Sequence, residues 1–350
     1  MAFHARDILF INFGQLGDVV LGLPALRAVR GRFPHAKITV LTGKQGAAIV
    51  ALSGCADAQI TVDRVALRDG NKLISIGRIG KLIKDVRQRG FDFVIDVHSL
   101  SETNLLGYLS GAQVRLYARR PGRSLDWLAN FRPAPPAPPR DNNDPTRHQA
   151  DRYLDVLKPL GVENAPREPH LYPPPEAIAA VEKMLGKHAD APLVGLYPGA
   201  GHASRMWPLA NFAELAGRLI SNGLRVVVIT GPEERAMLPE IRAGFPPESL
   251  IFDTLTIPQL AAMLQRLSVV MGNDTGPMHI AAAVRAPVVI VFNRATPHVF
   301  TPIGEQHRMI YNNDIRNISV GEVYTAMLER LARPRVESGE WGVSNANKIT

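Results

Sequence analysis

The chain has 350 residues, 46% of them hydrophobic and 21% charged, with a formal net charge of +8 and a single cysteine. That length exceeds what one hydrophobic core usually spans, so two domains are expected, and the lone Cys55 excludes an internal disulfide and a cysteine-rich metal site. The positive balance favours anionic partners, but the basic residues are spread out, densest at Arg115, Arg119, Arg120 and Arg123, and carry no zinc-finger or RNP-like pattern, so nucleic acid is not expected.

Asp7 and Asp18 interrupt the N-terminal apolar stretch, so no secretory signal is expected there. No apolar run reaches the roughly 18 to 20 residues that span a bilayer, which points to a soluble protein, and the single cysteine suits a reducing cytoplasm. The first strand reads "DILFINF" (7–13), followed by "GQLGD" and a helix over 18–32. Gly14 and Gly17 suggest a tight turn, with Gly17 clearing space beside Asp18. Asp18 reads two ways, as a helix cap or as a carboxylate at the mouth of a cleft, and the two roles are compatible. Pro24 costs a helix begun at residue 18 about 3 kcal/mol unless it kinks or restarts there.

A strand at 37–42, helices at 44–53 and 77–89, and a strand at 92–97 continue the first half. "RPAPPAPPR" (132–140) reads as a surface loop, a helix follows around 148–160, and "YPPPE" (172–176) marks the domain boundary. The second half restarts the plan with strands at 193–197, 225–230, 267–272 and 287–292, and helices at 208–221, 232–243, 257–266 and 277–284. After about residue 333 the periodicity is lost. Continuous apolar strands alternating with helices argue for parallel sheets covered on both faces. The division expected is 1–175, 176–333 and a tail at 334–350: an α/β protein of two Rossmann-like doubly wound domains facing across a cleft.

Three glycine-rich turns of the second half face that cleft. "GNDTGPMH" (272–279) places Asp274, Thr275 and Gly276 before a short apolar helix, the make-up of an anion site or of a well-capped helix without ligand. His279 is either a wall residue or a hydrogen-bond donor. "PGAGHASRMWP" (198–208) delivers Arg205 beside Gly201; a guanidinium next to exposed amides suits a diphosphate, and a solvated loop charge is the alternative. Trp207 reads as a packing anchor. In "TGPEERAM" (230–237), Glu233 and Glu234 favour the helix dipole, and the functional alternative is a carboxylate on a ribose diol. The ten histidines show no metal-ligand spacing and there is no Asp-x-Asp, so no metal or other cofactor is expected.

Together, "GQLGDVVLGLPALRAVRGRFPHAKITVLT", "YPGAGHASRMWPLANFAELAGRL", "VVVITGPEE" and "NDTGPMHIAAA" resemble glycosyltransferase family 9, the ADP-heptose–lipopolysaccharide heptosyltransferases of Gram-negative bacteria. The resemblance covers roughly residues 7 to 333, with the motifs in order. It implies a GT-B fold and metal-independent, inverting transfer of heptose from ADP-heptose to the anionic inner core of lipopolysaccharide, at the inner leaflet of the inner membrane. It makes Asp18 the general base and places Gly201, Arg205, Glu233, Asp274, Thr275, Gly276 and His279 at the donor. Arg205 stands where lysine is usual in the family. On the acceptor side it implies Gly17, His98, Arg119 and Arg120; there "DVHSLSETNLLGYLSGA" carries Glu102-Thr103 where relatives often have a basic residue and serine. Three other readings stay open: a nucleotide-sugar epimerase of the same architecture, a nicotinamide-dependent dehydrogenase, and a non-catalytic nucleotide-binding protein. A non-lipopolysaccharide acceptor is a further alternative.

Overall fold

The computed structural model describes residues 4–63, 72–131, 147–189, 191–293 and 297–332. The loop expected at 132–140 and the tail expected at 334–350 lie outside the described residues. Two wholly parallel sheets form the frame. The first contains β1 (Asp7–Ile11), β2 (Lys37–Gly43), β3 (Ala58–Val62), β4 (Phe93–Asp96) and β5 (Val114–Tyr117), in the order β3-β2-β1-β4-β5. The second contains β6 (Leu193–Tyr197), β7 (Arg225–Ile229), β8 (Leu250–Phe252), β9 (Val269–Asn273), β10 (Val288–Phe292) and β11 (Arg308–Tyr311), in the order β11-β10-β9-β6-β7-β8. The central strands are buried on both faces, as their continuous apolar sequences require.

The helices of the first half are α1 (Leu16–Arg32), α2 (Lys44–Ser53), α3 (Lys72–Gln88), α4 (Ser101–Leu109) and α5 (Gln149–Asp155). Those of the second are α6 (Pro175–Leu185), α7 (Leu209–Ser221), α8 (Leu238–Gly244), α9 (Ile257–Arg266), α10 (Gly276–Ala283) and α11 (Val320–Leu331). α1 begins two residues earlier than expected and continues through Pro24 without ending there. Residues 19 to 26 are all buried, so packing on every side outweighs the hydrogen bond that proline removes. The helix expected over 232–243 divides into a 3-10 turn, Pro232–Met237, and α8. The prolines of "YPPPE" do more than connect: Pro174 and Pro175 start α6, where a missing N–H is harmless.

Just before them the chain is stitched to both halves. Leu171 N–H bonds to the Ala283 carbonyl at the end of α10, and Tyr172 N–H to the Leu52 carbonyl in α2. His148 makes a second stitch. Its Nδ1 accepts the Ala150 N–H at 3.2 Å, so Nε2 carries the proton and donates to the Thr301 carbonyl at 2.9 Å. Burial holds this imidazole below its ordinary pKa, in keeping with a neutral ring. Between these stitches α1 packs on α10 and α2 on α9, and one apolar core runs from the first sheet to the second.

Trp207 anchors the entry to α7. It is fully buried, edge-on to Phe212 at 5.0 Å, and its indole N–H donates to the Ile318 carbonyl at 2.9 Å. Trp207→Phe keeps a ring there but leaves that carbonyl unpaired, and should lower stability by about 1–3 kcal/mol in urea denaturation. A loss below about 0.5 kcal/mol would mean the hydrogen bond contributes nothing net.

Candidate active site

In an open parallel sheet, ligands bind where the strand order reverses, outside the C-terminal strand ends. The first sheet reverses between β1 and β4, and the second between β6 and β9. The loops leaving these four strands carry Asp18, His98, Arg205 and the Asp274–Gly276 turn. Glu233 leaves β7, and Arg119 and Arg120 leave β5. The candidate residues therefore converge by topology.

The centre is a contact between two helix starts. A Cβ built on Gly17, in the first turn of α1, would lie 2.9 Å from His279 Cδ2 in α10. One on Gly276, the first residue of α10, would lie 3.0 Å from Leu16 Cβ. His279, 5% exposed, is thus a wall between the halves. Gly17 makes room for His279, not for Asp18. It is Gly14 that Asp18 needs, since a Cβ there would come within 2.3 Å of Asp18 Cβ. Neither glycine has a positive φ, so close approach and not a left-handed turn demands them.

Asp18 sits at the third position of α1, half-buried, and does not occupy the cap. Its Oδ2 accepts the Gln15 N–H at 3.0 Å, which fixes the carboxylate at the helix entrance. The buried Asn12 amide donates to the Asp18 carbonyl at 3.3 Å and holds the turn from behind.

On the β4 side the loop is built on a buried carboxylate. Asp96 is wholly inaccessible and accepts from Ser99 N–H (2.6 Å), Thr103 Oγ1 (2.6 Å) and Asn104 Nδ2 (2.8 Å). Burial pushes its pKa up to about 6 against the pull of these donors. The Glu102-Thr103 departure is therefore half structural, because Thr103 serves Asp96 while Glu102 is exposed. His98 Nδ1 lies 3.3 Å from the Tyr153 hydroxyl, and Arg120 Nη1 donates to the His98 carbonyl at 2.8 Å. Arg119 is exposed. Tyr153, on α5, was not singled out by the sequence. Burial first, and then the charge of Asp18, hold its phenol well above the ordinary range, so it stays a neutral hydroxyl beside Asp18.

The second half has its own frame. Buried Asn273 accepts the Trp207 N–H at 2.9 Å and donates to the carbonyls of Pro198 (2.8 Å) and Gly199 (3.2 Å). It ties the loop after β6 to the start of α10. Glu234, 4% exposed, accepts from the Tyr197 hydroxyl (3.0 Å) and Gly231 N–H (2.7 Å). Its carboxylate fills the space where a Cβ on Gly199 would sit. Of the paired glutamates, then, Glu234 braces the loop and Glu233 stands exposed on the same turn. Gly201 is exposed with open space around it, and Arg205 is half-buried at the end of a 3-10 turn, Ala203–Arg205. Thr275 caps α10 through its extended backbone and makes no side-chain cap bond.

Two helix N-termini in contact bring two positive dipole ends together. Such a place suits an anion, and Asp18 is a carboxylate poised at its edge. Among the described residues no cluster of three or more His, Cys, Asp or Glu is placed to hold a metal ion, and no helix is long and apolar enough to cross a membrane.

Residues 79–325 match the family model of glycosyltransferase family 9 (heptosyltransferase). The chain is 27% identical to lipopolysaccharide heptosyltransferase 3 of Escherichia coli, over 81% of this chain and 82% of that protein. It is similar in structure to a family 9 glycosyl transferase from Veillonella parvula (TM-score 0.81, 21% identity, 95% of this chain and 98% of that one). It is also similar to the E. coli heptosyltransferase WaaC with ADP (TM-score 0.74, 18% identity, 93% and 100%). These structural likenesses establish the GT-B fold.

Asp96 gives a pH test of the frame. Its folded pKa of about 6 lies above the ordinary carboxylate value of about 4, so the native state favours the protonated form. Its contribution is at its fullest below pH ~4 and is lost as pH rises through ~6. Relative to Asp96→Asn, which cannot titrate, the wild type should lose up to about 3 kcal/mol across that window in urea titrations. A pH-independent difference would show that the carboxylate is ionised throughout.

Proposed function

Because the chain belongs to glycosyltransferase family 9 (heptosyltransferase), we propose that it moves a heptose from ADP-heptose to the inner core of lipopolysaccharide with inversion, Asp18 being the general base. The observation that carries this reading is the meeting of the first turn of α1, which bears Asp18, with the first turn of α10. That meeting supports a proton acceptor beside an anion site on the opposite half. The bound ADP of the E. coli neighbour and the lipopolysaccharide acceptor named for the E. coli relative support the two substrates.

The donor diphosphate lies between Arg205 and the start of α10, held by the amides around Thr275, Gly276 and His279, with Asp274 and Gly201 beside it. Glu233 accepts from the ribose. The acceptor approaches from the first half, past Gly17, His98, Arg119 and Arg120, whose charges suit an anionic oligosaccharide at the inner leaflet. As the acceptor oxygen bonds to the anomeric carbon, its proton passes to Asp18 and the bond to ADP breaks with its electron pair. One displacement from the face opposite the leaving group inverts the anomeric centre. Arg205 and the helix dipole stabilise the charge gathering on the departing diphosphate, and no metal is required for it.

Asp18→Asn keeps an oxygen to accept the Gln15 N–H, and so the helix entrance, but removes basicity. Turnover should fall by about two to four orders of magnitude while ADP affinity and melting temperature barely change. Activity within a few-fold of wild type would leave Asp18 as a structural residue alone. Transfer should also persist after exhaustive EDTA treatment and dialysis. Complete loss, restored stoichiometrically by one ion, would replace the Arg205 assignment with a metal-bridged diphosphate.

A further inference from the structure

The first half carries a surface that the proposed chemistry does not use. α4 packs against both α3 and the 3-10 turn Asp126–Leu128. On its outer face Leu105 and Tyr108, one turn apart, are 45% and 48% exposed. Trp127, at 74%, is exposed on the adjoining turn. Arg115 joins the two parts: its Nε donates to the Leu128 carbonyl at 3.0 Å, and its guanidinium stacks 5.3 Å from the centre of the Tyr108 ring. Scattered exposed apolar residues need no explanation, but an aromatic and aliphatic group gathered on one face does.

The charge around this group has one sign in excess. The outer face of α3 and the residues after it expose Arg78, Lys81, Lys84, Arg87 and Arg89. Arg123 lies at the start of α4, where its carbonyl accepts from Ser101 Oγ at 3.1 Å. Against these stand Asp85, Glu102 and Asp126. On the opposite side of α3, Val86 enters the core and Leu82 and Ile83 pack against it. Tryptophan and tyrosine beside lysine and arginine is the composition of a surface that lies in a bilayer's headgroup layer.

We infer that the face formed by α3, α4 and residues 126–128 docks on an anionic lipid bilayer, with Trp127, Tyr108 and Leu105 entering the headgroup layer and the α3 cations pairing with lipid phosphates. The orientation serves the cleft. α4 begins directly after the β4 loop, so a bilayer against this face lies beside the His98–Arg120 entrance. The inference extends the proposed function, whose acceptor is lipid-borne, but it is tested without donor, acceptor or turnover.

The experiment is flotation of the full chain with vesicles of phosphatidylcholine alone, or mixed with phosphatidylglycerol. The wild type should float with the anionic vesicles, remain free with the neutral ones, and dissociate as salt is raised. Lys81→Glu with Lys84→Glu should cut the partition coefficient by at least about tenfold, since each cation near such a surface contributes about fivefold. Trp127→Ser should weaken binding at unchanged melting temperature, because its side chain is mostly in solvent. The blue shift of tryptophan emission on vesicles should vanish in Trp127→Phe. Absence of binding, equal binding to both lipids, or binding undiminished in the variants would overturn the inference. So would a dimer in solution that Trp127→Ser dissolves in the absence of vesicle binding, which would assign the face to a second copy of the chain. Failure of the proposed reaction shows separately, as absent transfer to a water-soluble, delipidated acceptor.

Discussion

Two helix starts pressed together are the constraint on which the rest of this molecule depends. Gly17 and Gly276 are both at the limit of what a hydrogen-bearing Cα allows, one against His279 and the other against Leu16. A side chain at either position would force His279 or Leu16 to shift. The shared apolar core under these helices holds the approach, and the stitches at Leu171, Tyr172 and His148 fix the halves on either side of it. Bringing like dipole ends together is electrostatically unfavourable by itself. Asp18 relieves part of this at its own helix start.

Each half braces its cleft loops with a buried carboxylate. Asp96 accepts a backbone N–H, a threonine hydroxyl and an amide; Glu234 accepts a backbone N–H and the Tyr197 hydroxyl. Burying a carboxylate is costly, and the cost is offset only when several donors converge on it. That is the condition both satisfy. The result is a loop whose shape is over-determined: Ser99 holds a φ of 49°, in the left-handed region, between Asp96 and the start of α4. Rigid loops of this kind place groups such as His98 and Arg205 without the side chains themselves having to enforce the geometry.

The central strands were legible because burial on both faces leaves a continuous apolar run, as in "ILFI" and "VVIVF". The four strands absent from the sequence reading, β3, β5, β8 and β11, are the four sheet edges. Edge strands are only partly buried, and "AQITV", "VRLY", "LIF" and "RMIY" carry no such run. The glycine-rich turns were legible as places of close approach, but what approaches was not: Gly17 serves a histidine on the other half of the chain. Tyr153 escaped notice for the same reason, since its position beside Asp18 arises from helix packing and leaves no local motif. Glu233 and Glu234 are indistinguishable in sequence, and only the fold turns one inward.

The arrangement also sorts the groups around the β1 and β4 loops by what they can do. Asp96 is a carboxylate at the end of β4, but it has no exposure and its oxygens are committed to three donors. Tyr153 is held as a neutral phenol by burial and by the charge of Asp18 itself. Asp18 keeps partial exposure, with one oxygen tied to the helix entrance. The second half presents fixed charge, from the Arg205 guanidinium and the peptide dipoles of α10. These carboxylates and the phenol thus lie in the first half and the fixed charge in the second, and the contact of α1 with α10 brings the two together.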